Sequence, residues 1–179
     1  MDVRLVHNPE DQNVLSAISV MLETSLSEEM RYPFEGLLPY FRNGKMHLYA
    51  AYSGEVCVGF AVVIVARKSL YLLFLVVDEK QRSKGYGTAI ISALKKEYPR
   101  LSIVLDCEED RASFYERCGI HETGYKMEFR NTLLYVMCES KLNLRDFMKF
   151  NKVLEPLEKD DDTDFVWIEP DGSRHTFSH

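Results

Sequence analysis

What the 179-residue chain lacks narrows its chemistry before any motif is read. Its four cysteines, Cys57, Cys107, Cys118 and Cys138, include no Cys-x-x-Cys pair, which argues against a zinc ribbon, a dithiol redox centre or a disulfide framework. They read as reduced packing residues; as a nucleophile, Cys107 or Cys118 would need a neighbouring base that sequence does not supply. The five histidines, His7, His47, His121, His175 and His179, show none of the spacings of a zinc site, so no metal is expected. No apolar run approaches the roughly 20 residues that cross a bilayer, and the N-terminus lacks the basic start and hydrophobic centre of a signal peptide. A cytoplasmic protein without membrane contact is the expectation. Positive charge is also scarce: 22 Lys and Arg against 28 Asp and Glu leave a net −6. That balance argues against nucleic acid as a partner, because phosphate-backbone binding relies on concentrated cations.

What is present describes one enzyme-sized domain with a small extension. Hydrophobic residues make up 46% and aromatics 12%, enough to bury a full core. The most informative stretch begins at Tyr71-Leu72-Leu73-Phe74-Leu75-Val76-Val77, a continuous apolar run of strand length, as in a strand covered on both faces. Arg82-Ser83-Lys84-Gly85-Tyr86-Gly87-Thr88 follows. Ile90, Ile91 and Leu94 then mark one helical face that stops at Tyr98-Pro99. A helix start leaves about four N–H groups unpaired and carries roughly half a positive charge, and glycines let an anion approach the backbone. The junction therefore suits a phosphate or pyrophosphate. It is neither a dinucleotide fingerprint, since Ile90 stands where the third glycine belongs, nor a nucleotide P-loop, since Lys84 precedes the glycines. An ordinary glycine-containing turn is the other reading.

Elsewhere Val3 to His7 reads as a strand, and Asn8-Pro9 as a helix cap with proline in the first turn. Val14, Ala17, Ile18, Met21 and Leu22 mark the helix that follows. Glu28 to Tyr40 is a shorter helical or irregular segment mixing aromatic and charged residues. Lys45 to Tyr52 and Val56 to Ala66 flank Ser53-Gly54-Glu55 as a hairpin. Leu101 to Leu105 is a strand with Asp106 at its end, and Asp110 caps the next helix. Ala112-Ser113-Phe114-Tyr115-Glu116-Arg117-Cys118-Gly119-Ile120 is a short helix closed by Gly119, with strands at Thr123 to Phe129 and Thr132 to Cys138 beyond it. Leu144, Phe147, Met148 and Leu154 fall at helical spacing before Pro156. Glu158 to Asp162 reads as a solvated linker, Phe165 to Ile168 as a terminal strand, and the remainder as a polar tail. Trp167 either covers a sheet edge or lines a pocket.

The two motifs together, Arg82-x-x-Gly85-x-Gly87 after an apolar strand and Phe114-Tyr115-x-x-x-Gly119-Ile120 downstream, resemble the acyl-CoA-dependent N-acetyltransferases of the GNAT superfamily. The resemblance covers residues 1–139, most strongly 71–129, with 140–179 as a C-terminal helix-plus-strand extension packed on the core. It implies an α/β fold: a mixed, mostly antiparallel sheet splayed at the cofactor strand, with helices on both faces. It implies acetyl-CoA as co-substrate and direct transfer of the acetyl group to a primary amine, a small molecule or a protein amine. A homodimer also accords with it. By the resemblance, Arg82, Ser83, Lys84, Gly85, Tyr86, Gly87 and Thr88 hold the pyrophosphate, Leu75, Val76 and Val77 meet the acetyl-pantetheine arm, and Phe114 and Tyr115 lie against the cofactor. Tyr115 matches the tyrosine that protonates the departing thiolate. The strand from Tyr71 to Val77 has no carboxylate where many relatives carry a base; Asp106 takes first place for that role, unless it only caps its strand, and Glu35 or His121 follows through a water. Tyr32, Phe34 and Glu35 are the candidate acceptor contacts. The missing carboxylate also leaves open a non-catalytic acyl-CoA-binding module.

Overall fold

Alternating and helical-period patterns succeed one another along the chain, and the elements follow them. They are β1 (Arg4–His7), α1 (Gln12–Ser25), α2 (Phe34–Arg42), β2 (His47–Ser53), β3 (Val56–Val65), β4 (Ser69–Val77), α3 (Tyr86–Glu97) and β5 (Ser102–Cys107), then α4 (Glu109–Arg117), β6 (His121–Phe129), β7 (Thr132–Cys138), α5 (Leu144–Glu158), β8 (Phe165–Ile168) and β9 (Arg174–Phe177). The computed structural model describes residues 3–26, 32–158 and 165–177. Arg31 and the acidic run 159–162 lie outside the described residues. The strands form a nine-stranded sheet in the order β1-β2-β3-β4-β5-β7-β6-β8-β9. β4 and β5 are parallel, whereas β1–β2, β2–β3, β5–β7, β6–β7, β6–β8 and β8–β9 are antiparallel. The chain folds as two units, Met1–Val65 with Leu72–Pro99, and Ala66–Tyr71 with Arg100–His179.

The first unit holds β1 to β3, the greater part of β4, and α1 to α3. Ile18 and Leu22 of α1, Leu37 of α2, Leu48 of β2, Val62 of β3 and Ile90 and Leu94 of α3 are fully buried in its core. The β2–β3 hairpin closes with Ser53 opposite Val56, and Gly54 takes φ +60°, a left-handed value that suits glycine at the first central position of the turn. Past it the register shifts between Ala51 and Tyr52: Ala51 faces Gly59 while Tyr52 faces Cys57, which makes Val58 the extra residue of a bulge.

Asn8 is not the cap of α1. That cap is Asp11, whose carboxylate accepts from the Asn13 N–H at 2.8 Å. Asn8 instead turns at φ +43° and clasps β2: its N–H donates to the Leu48 carbonyl at 2.6 Å and its side-chain oxygen accepts from the Leu48 N–H at 2.9 Å. A short amide side chain tolerates the left-handed turn and satisfies both polar groups of one strand residue.

The second unit holds the start of β4 and everything from β5 onward. Alternation along β5 assigns its faces. Asp106 lies opposite Val136, and the Tyr71 hydroxyl donates to its Oδ1. Tyr71 stacks on Phe150 of α5 with ring centroids 5.2 Å apart, so Asp106 and α5 share one face. Cys107 points the other way, its Sγ 3.3 Å from Met137 Sδ. Trp167 is buried, stacked on Tyr125 at 5.0 Å and against Phe147 at 5.2 Å. It packs in the interior of the unit beneath α5.

Several expectations change here. Asp110 sits in the first turn of α4, whose N-cap is Glu108. α5 runs through Pro156, close enough to the C-terminal end that the missing N–H removes one late bond. Its buried stripe is Phe147, Phe150 and Leu154, whereas Leu144 and Met148 are exposed. The supposed polar tail forms β9, paired with β8 around a turn in which Gly172 takes φ +87°. The apolar run of β4 is covered on both faces only from Ser69 to Leu72; beyond that Phe74 and Val76 are buried while Leu73, Leu75 and Val77 are half-exposed.

Burial sets an alkaline limit on stability. It pushes the Cys107 thiol up to about 12 from an ordinary 9, and raises the Tyr49 phenol, with the 2.6 Å Tyr98 hydrogen bond adding to it. Both groups ionise in the unfolded chain before they do in the folded one, so stability is complete below about pH 9 and falls as pH climbs toward 12. Melting temperatures should hold from pH 8 to about pH 9 and decline from there to pH 11, and Cys107→Ala should flatten the decline.

Candidate active site

The junction between β4 and α3 lies wholly in the first unit. The Asp78 N–H donates to the Val58 carbonyl at 3.0 Å, which fixes the end of β4 to the bulge in β3. Its carboxylate accepts from the Lys80 N–H at 2.9 Å and starts a single 3₁₀ turn, Glu79–Gln81. Ser83 then takes φ +61° and Gly85 φ +83°, and Gly85 is the N-cap of α3. Two left-handed residues within three positions reverse the chain so that the first-turn amides of α3 head the loop. A glycine cap has no side chain to place over them, and a Cβ built on Gly85 meets nothing within 4 Å.

The two cations of the loop brace it. Arg82 donates through Nε to the Val77 carbonyl at 3.3 Å and through Nη2 to Ser25 Oγ at 2.8 Å, tying the end of β4 to the end of α1. Lys84 Nζ donates to the Lys80 carbonyl at 2.9 Å and to Gln81 Oε1 at 3.0 Å. Both residues are exposed beside the helix start.

One residue in the adjoining strand escaped the sequence reading. A Cβ on Gly59 would fall 2.3 Å from the Val76 carbonyl oxygen and 3.1 Å from Val77 Cα, so only glycine lets β3 approach β4 this closely. The sole hint in the sequence is a glycine inside an otherwise apolar strand.

Leu75, Val76, Val77 and residues 82 to 88 are thus brought together in the first unit, which also holds Tyr32, Phe34 and Glu35. Tyr32 is buried against Phe74 at 6.0 Å and Phe34 against Phe41 at 6.2 Å. Glu35 is exposed in the first turn of α2, where its charge suits the helix dipole.

Asp106, Phe114 and Tyr115 lie in the second unit. α4 ends in a Schellman closure: Gly119 at φ +74° donates its N–H to the Glu116 carbonyl at 2.9 Å, and the Ile120 N–H donates to the Tyr115 carbonyl at 3.0 Å. The motif glycine therefore fixes the backbone of Tyr115 itself. Phe114 packs edge-on against the Tyr115 ring at 5.0 Å. Burial raises the Tyr115 phenol above its ordinary value, with Cys107 next in effect, so it stays protonated through the neutral range. Asp106 stands within β5 rather than capping its end, and its partner Tyr71 was not singled out from the sequence. His121 is paired through Nδ1 with Glu116 at 2.5 Å on the exposed surface.

Comparison with known proteins now decides the family. The model of the "Acetyltransferase (GNAT) family" matches residues 14–120, more than half of the chain. The chain belongs to the GNAT acetyltransferase family. Solved structures share the family's fold with it. A GNAT-family acetyltransferase from Bacteroides thetaiotaomicron superposes with a TM-score of 0.68 at 20% identity, over 86% of this chain and 96% of that one. A GNAT acetyltransferase from Elizabethkingia anophelis with acetyl-CoA bound gives 0.60 at 12% identity, over 78% and 99%. The aminoglycoside 6'-N-acetyltransferase of Enterococcus faecium gives 0.59 at 18% identity, over 78% and 99%. The mixed, mostly antiparallel sheet expected from the two motifs is the observed one.

Gly59 provides the test of how closely β3 holds the GNAT loop strand. Gly59→Ala should destabilise the protein by about 1–3 kcal/mol, since the methyl meets backbone that must shift. Thermal unfolding would show this as a drop of several degrees.

Proposed function

We propose that the protein moves an acetyl group from acetyl-CoA to a primary amine by direct attack, with residues 1–139 as the catalytic domain and 140–179 as its extension. The observation that carries this reading is the junction itself: β4 pairs with β5 only as far as Tyr71 and then leads into a helix whose cap is a glycine at φ +83°. The amides of Tyr86 and Gly87 and the positive end of α3 suit a pyrophosphate, and the open space over Gly85 admits one. Arg82, Ser83, Lys84 and Thr88 complete the cradle. The half-exposed Leu73, Leu75 and Val77 offer an apolar surface beside strand amides for the pantetheine arm. The acetyl-CoA bound to a neighbour of the same fold supports this assignment.

Attack requires the amine to be unprotonated. Of the two protons that leave an ammonium as the N–C bond forms and the C–S bond breaks, one ends on the CoA sulfur and one in solvent. Asp106 is assigned to receive a proton from nitrogen and Tyr115 to supply one to sulfur, Phe114 packing beside it. Glu35 is second in line as base. The net charge of −6 favours a cationic acceptor.

Calorimetric titration tests the cofactor assignment. Wild type should bind acetyl-CoA and desulfo-CoA with a micromolar Kd, and Gly85→Glu with Gly87→Glu should weaken both at least about tenfold, since carboxylates then oppose the phosphates at the helix start. No binding by a folded wild-type protein overturns the reading. A panel of spermidine, tyramine, kanamycin and a lysine peptide, followed by release of the CoA thiol, tests the chemistry. Tyr115→Phe should lower kcat about 10²-fold while leaving the Kd for acetyl-CoA within about twofold. Binding without turnover on any amine assigns the non-catalytic module instead, a reading that the absence of a carboxylate from β4 favours.

A further inference from the structure

Positive charge is scarce in this chain, and the second unit gathers it at one end. Hydrogen bonds tie three turns together there. The Ser102 N–H donates to the Lys68 carbonyl at 3.1 Å, joining the start of β5 to the turn before β4. Ser140, just past β7, donates to Ser102 Oγ twice, from its own Oγ at 2.8 Å and from its N–H at 3.2 Å. The Lys68 N–H donates in turn to the buried Asp146 carboxylate at 2.8 Å, in the first turn of α5. Exposed cations flank every joint: Arg67 and Lys68 before β4, Arg100 two residues ahead of Ser102, Lys141 beside Ser140, and Arg145 beside Asp146. Among the described residues none of these five forms an ion pair. The acids of this end serve backbone amides instead: Asp146 as above, and Glu139, whose Oε2 accepts from the Ile103 N–H at 3.3 Å. The outer face of α5 continues the surface. At 3.6 residues per turn, Leu144, Met148, Lys152, Arg145 and Lys149 fall in that order across about 140° of the helix. All five are exposed, Leu144 at 41% and Met148 at 46%. Between Leu144 and Lys152 the sole acid is Asp146, on the buried side.

We propose that this end of the second unit docks reversibly on an anionic phospholipid surface, its cations against the headgroups and Leu144 and Met148 entering the interface. The proposal stands apart from the reaction assigned above. Charge complementarity chooses an anionic partner, and the apolar pair chooses lipid: two apolar side chains one turn apart, bordered by Lys and Arg, are the composition of a helix that lies in a membrane interface. Nucleic acid would engage the cations alone and leave the apolar pair against phosphates. An outer helix face flanked by turns is convex, which suits a plane better than an acidic peptide seeking a groove. The net charge of −6 does not oppose the contact. Glu108, Glu109 and Asp110 follow the other end of β5, whose six residues at about 3.3 Å each hold them roughly 20 Å away, more than twice the ~8 Å over which exposed charges act at physiological salt. The absence of a membrane-crossing helix among the described residues is no obstacle either, because the contact is peripheral.

The experiment is co-sedimentation of the full-length protein with vesicles of phosphatidylcholine alone or with about 30% phosphatidylserine, at about 0.1 M and about 0.5 M salt. At the lower salt the anionic vesicles should take up the protein about tenfold more strongly than the neutral ones, and the excess should vanish at the higher salt. Combined Arg67→Glu, Lys141→Glu and Arg145→Glu should weaken uptake about tenfold, and Leu144→Gln with Met148→Gln about threefold. All five positions are exposed, so both variants should keep the wild-type melting temperature within a few degrees. No uptake by either vesicle, equal uptake by both, or uptake that a folded charge-reversed variant retains overturns the proposal. So does tighter binding of poly-glutamate or duplex DNA than of the anionic vesicles, lost in the same charge-reversed variant, which assigns the surface to an acidic polypeptide or to nucleic acid instead.

Discussion

Parallel strands cannot be joined by a tight turn, and the pairing of β4 with β5 makes a crossover through α3 obligatory. That single constraint places a helix start immediately after the end of a strand. The parallel register then lasts for only three pairs, Ser69↔Ser102 to Tyr71↔Val104, while β4 continues from Leu72 to Val77. Ligands of open α/β sheets gather at the carboxyl ends of strands for this reason: there the backbone leaves its ladder and a helix presents unpaired amides. Gly85 and Ser83 bend the chain into that position, and Asp78 and Gly59 fix the strand that delivers it.

Strand alternation makes a second division within the second unit. Asp106 and Cys107 are consecutive and so point to opposite faces of β5, one toward α5 and the other toward Met137. Environment adds to the difference between the faces: burial keeps the Tyr115 phenol protonated, while the Tyr71 hydroxyl donates to Asp106.

Legibility followed the range of the interactions. The stripe Ile18, Met21 and Leu22, the hairpin about Gly54 and the strand Thr132–Cys138 were readable because period and turn chemistry are local. Asn8 was not: an asparagine before proline has the chemistry of a cap, yet it bonds to Leu48, 40 residues away. Met148 has the spacing of a core residue but lies on the exposed side, because Phe150 rather than Met148 finds Tyr71 to pack against. β9 was missed because its four residues are mostly polar and gain their order from pairing with β8. At the site the same rule held. The loop glycine at the start of α3 and the closure of α4 by Gly119 were visible; Gly59 and Tyr71, whose contacts are with residues distant in sequence, were not.

The division of labour between the matched region and the extension follows from these contacts. Everything that shapes the glycine loop, from Ser25 and Val58 to Gly85, lies inside residues 14–120. The face of β5 that carries Asp106 is covered instead by Phe147, Phe150 and Trp167, all beyond residue 120. That cover is chiefly α5, a helix anchored by the buried Asp146, and its aromatic stripe bears on Tyr71, which donates to Asp106. Substitution in the Phe147 and Phe150 stripe therefore acts within the second unit, on Tyr71 and through it on Asp106.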